Sequence, residues 1–127
     1  MIHSPYLSRD DAPRLGRFSD ALVTLEILPK FAEGLQDIEQ EFHLIVLYWL
    51  DRSNRTTLRA ISPLTGIEHR VFAIRSPDRP NPIGICIVEL VRHEGNQLFV
   101  RGLYALDGRP LLDVKPYSAA IDSVKQK

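Results

Sequence analysis

The apolar residues of this chain come in short runs rich in β-branched and aromatic side chains, and nowhere does a long amphipathic helical period persist. Residues 21–28, with Leu22, Val23, Leu25, Ile27 and Leu28, read as a strand ended by Pro29. Residues 43–51 carry the strongest strand pattern, and their near-continuous apolarity predicts burial on both faces. Short strands are also predicted over residues 56–61, 71–74 and 111–114. Residues 85–92 and 97–103 predict a hairpin, because His93-Glu94-Gly95-Asn96 between them is a turn sequence. Phe31-Ala32-Glu33-Gly34-Leu35 reads as a short helical turn. Many short strands at regular spacing specify an all-β, mainly β fold, a small barrel or sandwich with short helical turns, in a single domain over residues 1–127. The pattern is not that of a doubly wound Rossmann sheet, and no glycine-rich dinucleotide fingerprint is present.

Between two of those runs lies Arg75-Ser76-Pro77-Asp78-Arg79-Pro80-Asn81-Pro82-Ile83-Gly84. Each proline fixes its own φ and pushes the residue before it towards extended geometry. A loop this stiff holds its polar groups at a fixed place, and the guanidinium groups of Arg75 and Arg79 offer planar forks suited to carboxylate or phosphate. Two further segments are polar where a plain barrel has no need of it. Ala12-Pro13-Arg14-Leu15-Gly16 puts an arginine in an early loop. Leu106-Asp107-Gly108-Arg109-Pro110 contains a tight-turn dipeptide and leads into Leu111-Leu112-Asp113-Val114-Lys115-Pro116-Tyr117. Alternation puts Asp113, Lys115 and Tyr117 on one strand face, where an acid, a cation and a phenol can bind a polar ligand or move a proton. Each feature alone has a plainer reading. An Asp-Gly is most often only a turn, Asp113 with Lys115 a solvated pair, and His43 a packed histidine.

Composition narrows the classes. The 16 basic and 16 acidic residues cancel, so no global field draws the chain to nucleic acid. Residues 70–117 nevertheless hold seven basic against five acidic side chains, a local excess that suits an anionic partner. Cys86 is the single cysteine, which excludes an intrachain disulfide, and its strand setting predicts a small buried side chain. The four histidines have no metal-ligand spacing, so no metal site is expected. No leader-like segment follows Met1, and the longest apolar run, residues 44–50, is too short to span a bilayer; a soluble, cytoplasmic protein is expected.

Taken together, the proline-rich arginine segment and the Leu106–Tyr117 segment closely resemble the TsaA-like (TrmO-type) family. The resemblance extends to Ile2-His3-Ser4-Pro5-Tyr6, Pro13-Arg14, Phe31-Ala32-Glu33-Gly34-Leu35 and His43-Leu44-Ile45-Val46-Leu47-Tyr48-Trp49, nearly the whole chain in the family's order. It implies a small non-Rossmann β-barrel that binds S-adenosylmethionine, forms homodimers, and methylates N6 of a threonylcarbamoyl-modified adenosine next to the tRNA anticodon. It also implies a cofactor cradle made of Pro13, Arg14, Leu15, Asp51, Arg52, Arg75, Ile85, Leu106, Asp107, Gly108 and Arg109. Arg79 and Asn81 are the candidates facing substrate, and Asp113, Lys115 and Tyr117 those for proton transfer.

The chain departs from the family pattern at several places. Leu15 stands where the family has glutamine, Phe42 where it has serine, Ile74 where it has threonine, Tyr104 where an acidic residue is common, and Arg109 where it has threonine. These changes, and an end soon after Tyr117, imply a short, divergent member without the C-terminal extension of longer relatives. Two alternatives therefore stand beside tRNA methylation: transfer to a small molecule or protein, and a catalytically silent barrel that binds S-adenosylmethionine or a partner.

Overall fold

The computed structural model describes residues 1–8 and 20–125. Among them the strands are β1 (Ile2–His3), β2 (Leu22–Glu26), β3 (His43–Trp49), β4 (Arg59–Ile61), β5 (Glu68–Arg70), β6 (Ile83–Glu94), β7 (Gln97–Arg101) and β8 (Leu111–Pro116). Short 3-10 turns cover Pro29–Leu35, Ile38–Gln40 and Val71–Ala73, and one helical turn, α1, covers Ala119–Asp122. The main sheet is antiparallel throughout, in the order β1-β2-β7-β6-β3-β8, and β4 pairs with β5 in a separate two-stranded ribbon.

The mainly β class stands, but the sheet does not close into the expected barrel. Edge strands β1 and β8 are not paired with each other. The turn ahead of β8 fills the gap instead: Ile2 N–H donates to Arg109 O at 3.0 Å and Gly108 N–H to Ile2 O at 2.8 Å. Pro110 follows at once and has no N–H to continue a ladder.

One face of this sheet forms the core. Ile2, Val23, Leu25, Leu44, Val46, Val88, Leu98 and Val100 are essentially sealed, with Tyr48, Cys86, Leu103 and Leu35 completing the cluster. The alternation corrects two expectations. Along β3, Leu44, Val46 and Tyr48 are buried while Ile45, Leu47 and Trp49 are only half-buried, so the strand is not enclosed on both faces. A continuous apolar run here means an antiparallel sheet whose outer face is also apolar, with Ile83, Ile85 and Ile87 of β6 beside it close to half exposed. Val71–Ala73 is a 3-10 turn and not a strand. Only Val71 is buried, and Ile74 N–H donates back to Val71 O, which swings the chain from β5 into the proline loop.

The β6–β7 hairpin turns at Gly95-Asn96 as expected, and a bulge at Val91 shifts its register. Past the bulge, Leu90 faces Val100 and Glu89 faces Arg101. Without the extra residue Arg101 would lie opposite Leu90.

Candidate functional site

The end of β3 joins the two segments singled out in the sequence. Leu50 N–H donates to Pro82 O at 2.8 Å, and Trp49 N–H donates to Pro110 O at 2.9 Å. The proline loop therefore hangs from one side of this backbone and the Asp107-Gly108 turn from the other.

On the loop side is a cavity of about 460 Å³, within the range of small-molecule sites. Its apolar wall is Tyr48, Phe72, Ile74, Ile83, Ile85 and Tyr104, and its polar edge is Arg75, Ser76, Arg79 and Asn81. The loop is braced by its own side chains. Arg79 donates to Ile74 O at 2.8 Å and its guanidinium lies over the Phe72 ring. Arg55 Nε donates to Pro80 O at 2.9 Å, and Asp78 accepts from the Asn54 N–H at 2.9 Å. Arg75, by contrast, makes no hydrogen bond or ion pair among the described residues and lines the cavity with its fork open. The wall is dry enough to disfavour ionisation. Burial pushes the phenols of Tyr48 and Tyr104 up, and pushes the Cys86 thiol up to about 11.

On the turn side, Asp107 is fixed by three bonds. Its Oδ1 accepts from Ser4 N–H at 3.0 Å, its N–H donates to Tyr6 O at 2.7 Å, and its carbonyl accepts from Arg52 Nη2 at 2.6 Å. Gly108 sits at φ +83°, which a side chain would strain. Arg109 is 3% exposed and donates to Asp51 Oδ1 at 3.1 Å, with its Nε left without a partner. Burial lowers the pKa of this guanidinium, and the Asp51 carboxylate opposes that shift. The long cation standing in place of a threonine is therefore turned inward against Asp51.

The outer face of the sheet orders the remaining candidates into cross-strand rows. Asp113, Leu47 and Ile85 make one row, and Lys115, Ile45 and Ile87 the next. Tyr117, whose N–H donates to His43 O, leads a third row through His43 and Glu89 to Arg101. Asp113 and Lys115 share the expected face, but they bind each other at 3.1 Å and both are exposed. Tyr117 packs edge-to-face on His43 with ring centroids 6.4 Å apart. These rings, with Glu89, Arg101, Gly102, Ile87 and Asp20, line a second cavity of about 390 Å³.

The structure thus brings Arg75, Arg79, Asn81 and Ile85 into one cavity, and Asp51, Arg52, Asp107 and Arg109 into an adjoining cluster across β3. The 104–109 segment reaches the cavity wall through Tyr104, not through Leu106–Arg109, and Leu106 itself is buried. Pro13, Arg14 and Leu15 lie outside the described residues. Sequence reasoning did not select Tyr48, Phe72, His43 or Glu89, and it offered Arg101 only as a cation for tRNA reaching across a dimer. Cross-strand alternation was the available signal for His43, and the bulge hid the pairing of Glu89 with Arg101.

Residues 1–123 match the family model of the tRNA-methyltransferase O N-terminal domain. The chain belongs to the TrmO family. A probable S-adenosyl-L-methionine-binding protein of Archaeoglobus fulgidus is 56% identical over 98% of this chain and 34% of its own length. An S-adenosyl-L-methionine-binding protein of the same organism is 50% identical over 99% of this chain and 91% of its own length. The human tRNA (adenine(37)-N6)-methyltransferase is 36% identical over 71% of this chain and 21% of its length. The crystal structure of TrmO from Pseudomonas aeruginosa matches with a TM-score of 0.79 at 32% identity, covering 99% of this chain and 56% of that one. The chain therefore spans about a third of the first of these relatives and about half of the solved TrmO chain.

The residues present fit the cofactor of those relatives. A sulfonium nucleoside needs a fork for its carboxylate, an apolar wall for its base, and aromatic faces near its fixed positive charge. Arg75, Ile85 with Ile74, and Phe72 with Tyr104 are the groups in the loop-side cavity that would supply these.

Proposed function

We propose that this chain binds S-adenosylmethionine in the Arg75 cavity and methylates N6 of a threonylcarbamoyl-modified adenosine in tRNA, next to the anticodon. One observation carries the reading: Arg52, Arg55, Arg79 and Arg109 each donate to a protein oxygen, while Arg75 has no such partner among the described residues and lines the cavity. The open fork takes the carboxylate. Arg79 and Asn81 stiffen the loop and form its substrate-side rim, while the Asp51, Arg52, Asp107 and Arg109 cluster supports the cradle from across β3.

The bound sulfonium supplies an already activated methyl group. Its transfer would leave the acceptor nitrogen with a proton to release. The chain's work is then to orient donor and acceptor and to give that proton an exit. Asp113, Lys115 and Tyr117 line the outer face for that exit. No helix of the described residues is long and apolar enough to cross a membrane, and action on tRNA would place the protein in the cytoplasm.

The active unit is proposed to be a homodimer. Leu58, Ile61, Leu64, Ile67 and Phe72 are each more than half exposed on or beside the β4–β5 ribbon. An isolated two-stranded ribbon is marginal alone, and burying these residues against a second copy would stabilise it. Sedimentation at micromolar concentration tests this, and a monomer would refute it.

Titration calorimetry with S-adenosylmethionine tests the donor site. Arg75→Ala should weaken binding by about 1.5–3 kcal/mol, the loss of one charge-assisted bond; an unchanged affinity would remove Arg75 from the site. Nucleoside analysis of tRNA from cells lacking the gene tests the acceptor, and unchanged methylation there would remove the tRNA reading and leave transfer to a small molecule or protein and silent binding as the alternatives.

A further inference from the structure

We infer that the second cavity, framed by the row Tyr117–His43–Glu89–Arg101, is the acceptor subsite, and that it holds a planar nitrogen heterocycle bearing an anionic substituent. The inference rests on the proposed donor site and adds a location to it.

Contiguity is the first argument. Ile85 lines the Arg75 cavity and Ile87 lines the second one. They are successive residues on one face of β6, about 7 Å apart along the strand. The neighbouring segment makes the same step, with Tyr104 on the first cavity and Gly102 on the second. Two backbones therefore run from one cavity to the next, so the two cavities are neighbours along β6 and the 102–104 segment.

Chemistry is the second. His43 and Tyr117 form an aromatic corner, with their rings at 78° to each other, and such a corner can receive a heterocycle by stacking or edge contact. Arg101 and Glu89 approach only to 3.9 Å and are each about half exposed. They form a loose ion pair with no direct hydrogen bond, so the donors of the Arg101 fork and the oxygens of Glu89 are available to a ligand that comes between them. A solvated surface pair would show the same distance. It would not require the Val91 bulge, which sets Arg101 beside Glu89, nor Gly102 at φ 92°, a conformation that favours glycine at the rim.

The test uses the modified nucleoside, N6-threonylcarbamoyladenosine, and unmodified adenosine, each titrated into the full chain with and without S-adenosylmethionine. The wild type should bind the modified nucleoside more tightly than adenosine. Arg101→Gln should lose roughly 10- to 100-fold for the modified nucleoside, the range of one charge-assisted bond, and little for adenosine. His43→Ala should weaken both. Arg101→Lys, which keeps the charge without the fork, should fall between. S-adenosylmethionine affinity should be unchanged in all three variants, and melting temperature in the two Arg101 variants. Equal affinity of Arg101→Gln and wild type for the modified nucleoside would overturn the inference, as would no binding to the wild type at millimolar nucleoside. A wild type that binds the nucleoside as described but shows no heat with S-adenosylmethionine would sink the donor reading and leave this subsite standing.

Discussion

Gly84→Ala offers a direct test of how the cavity wall is packed. Gly84 lies opposite Tyr48 in the β3–β6 ladder. A Cβ built there would stand 2.5 Å from Tyr48 Cζ, 2.6 Å from Cε2 and 2.9 Å from Cε1. Ordinary contact between carbon atoms is about 3.5 Å or more, so the ring must retreat by about 1 Å. Tyr48 is 2% exposed and packed into the core cluster on one side, so the ring can retreat only towards the cavity it lines, giving up core contacts as it moves. Overpacking of this kind costs about 1–3 kcal/mol. Replacing glycine in a strand recovers a few tenths to about 1 kcal/mol through the unfolded chain, so the net loss falls at about 1–2 kcal/mol. For a chain of this length that lowers Tm by roughly 4–10 °C. Calorimetric melting reads it, and because Tyr48 also lines the Arg75 cavity, S-adenosylmethionine affinity should fall in the same variant. The decisive control is Tyr48→Leu, which removes the ring. In that background Gly84→Ala should cost almost nothing, giving a coupling of about 1–2 kcal/mol in the cycle. A Gly84→Ala protein with unchanged Tm, or a cycle without coupling, would refute the packing argument.

Other outcomes follow from the same geometry. His93 and Glu39 are hydrogen-bonded, which raises the pKa of the histidine above its ordinary 6.5 and lowers that of the glutamate below its ordinary 4.5. The histidine's contribution is complete below 6.5 and is lost as pH rises through its raised value; the glutamate's is complete above 4.5 and is lost as pH falls through its lowered value. Stability from this pair is therefore greatest between 4.5 and 6.5, and His93→Gln should flatten the decline of Tm on the alkaline side; an unaltered pH profile would exclude the pair. Asp51→Ala leaves the buried Arg109 guanidinium without its partner, and urea unfolding should show a loss of about 1–3 kcal/mol, less than for a fully buried pair because Asp51 is 37% exposed. Cys86, buried and with its thiol pushed up to about 11, should resist a thiol reagent in the native protein and react on unfolding; rapid native labelling would contradict the burial.

The strand framework was legible because alternation and turn chemistry are local. His43–Trp49, the β6–β7 hairpin and the last strand fall where β-branched runs and Gly95-Asn96 put them. Closure was not legible, since it depends on whether residues 107–110 pair as strand or turn against Ile2, a contact between the two ends of the chain. Val71–Ala73 misled because four apolar residues suit a strand and a 3-10 turn alike, and only the buried anchor at Val71 separates them. The motifs found one wall of the site. The Arg75 loop is where its prolines predict, but Arg79, an equal candidate by composition, is engaged in bracing Ile74 and Ser76. Which of two arginines stays open is a matter of distances to carbonyls that no residue pattern encodes. Glu89 and Arg101 were hidden for a similar reason, because a single bulged residue decides what Arg101 faces.

The two amide bonds at the end of β3 give the site a shared hinge pin. Trp49 and Leu50 are neighbours in the chain, yet one holds Pro110 and the other Pro82. Fraying of that one dipeptide would loosen the arginine loop and the aspartate turn on their β3 side at once, so the amides of Trp49 and Leu50 should exchange together, with one opening free energy, whichever segment a ligand grips.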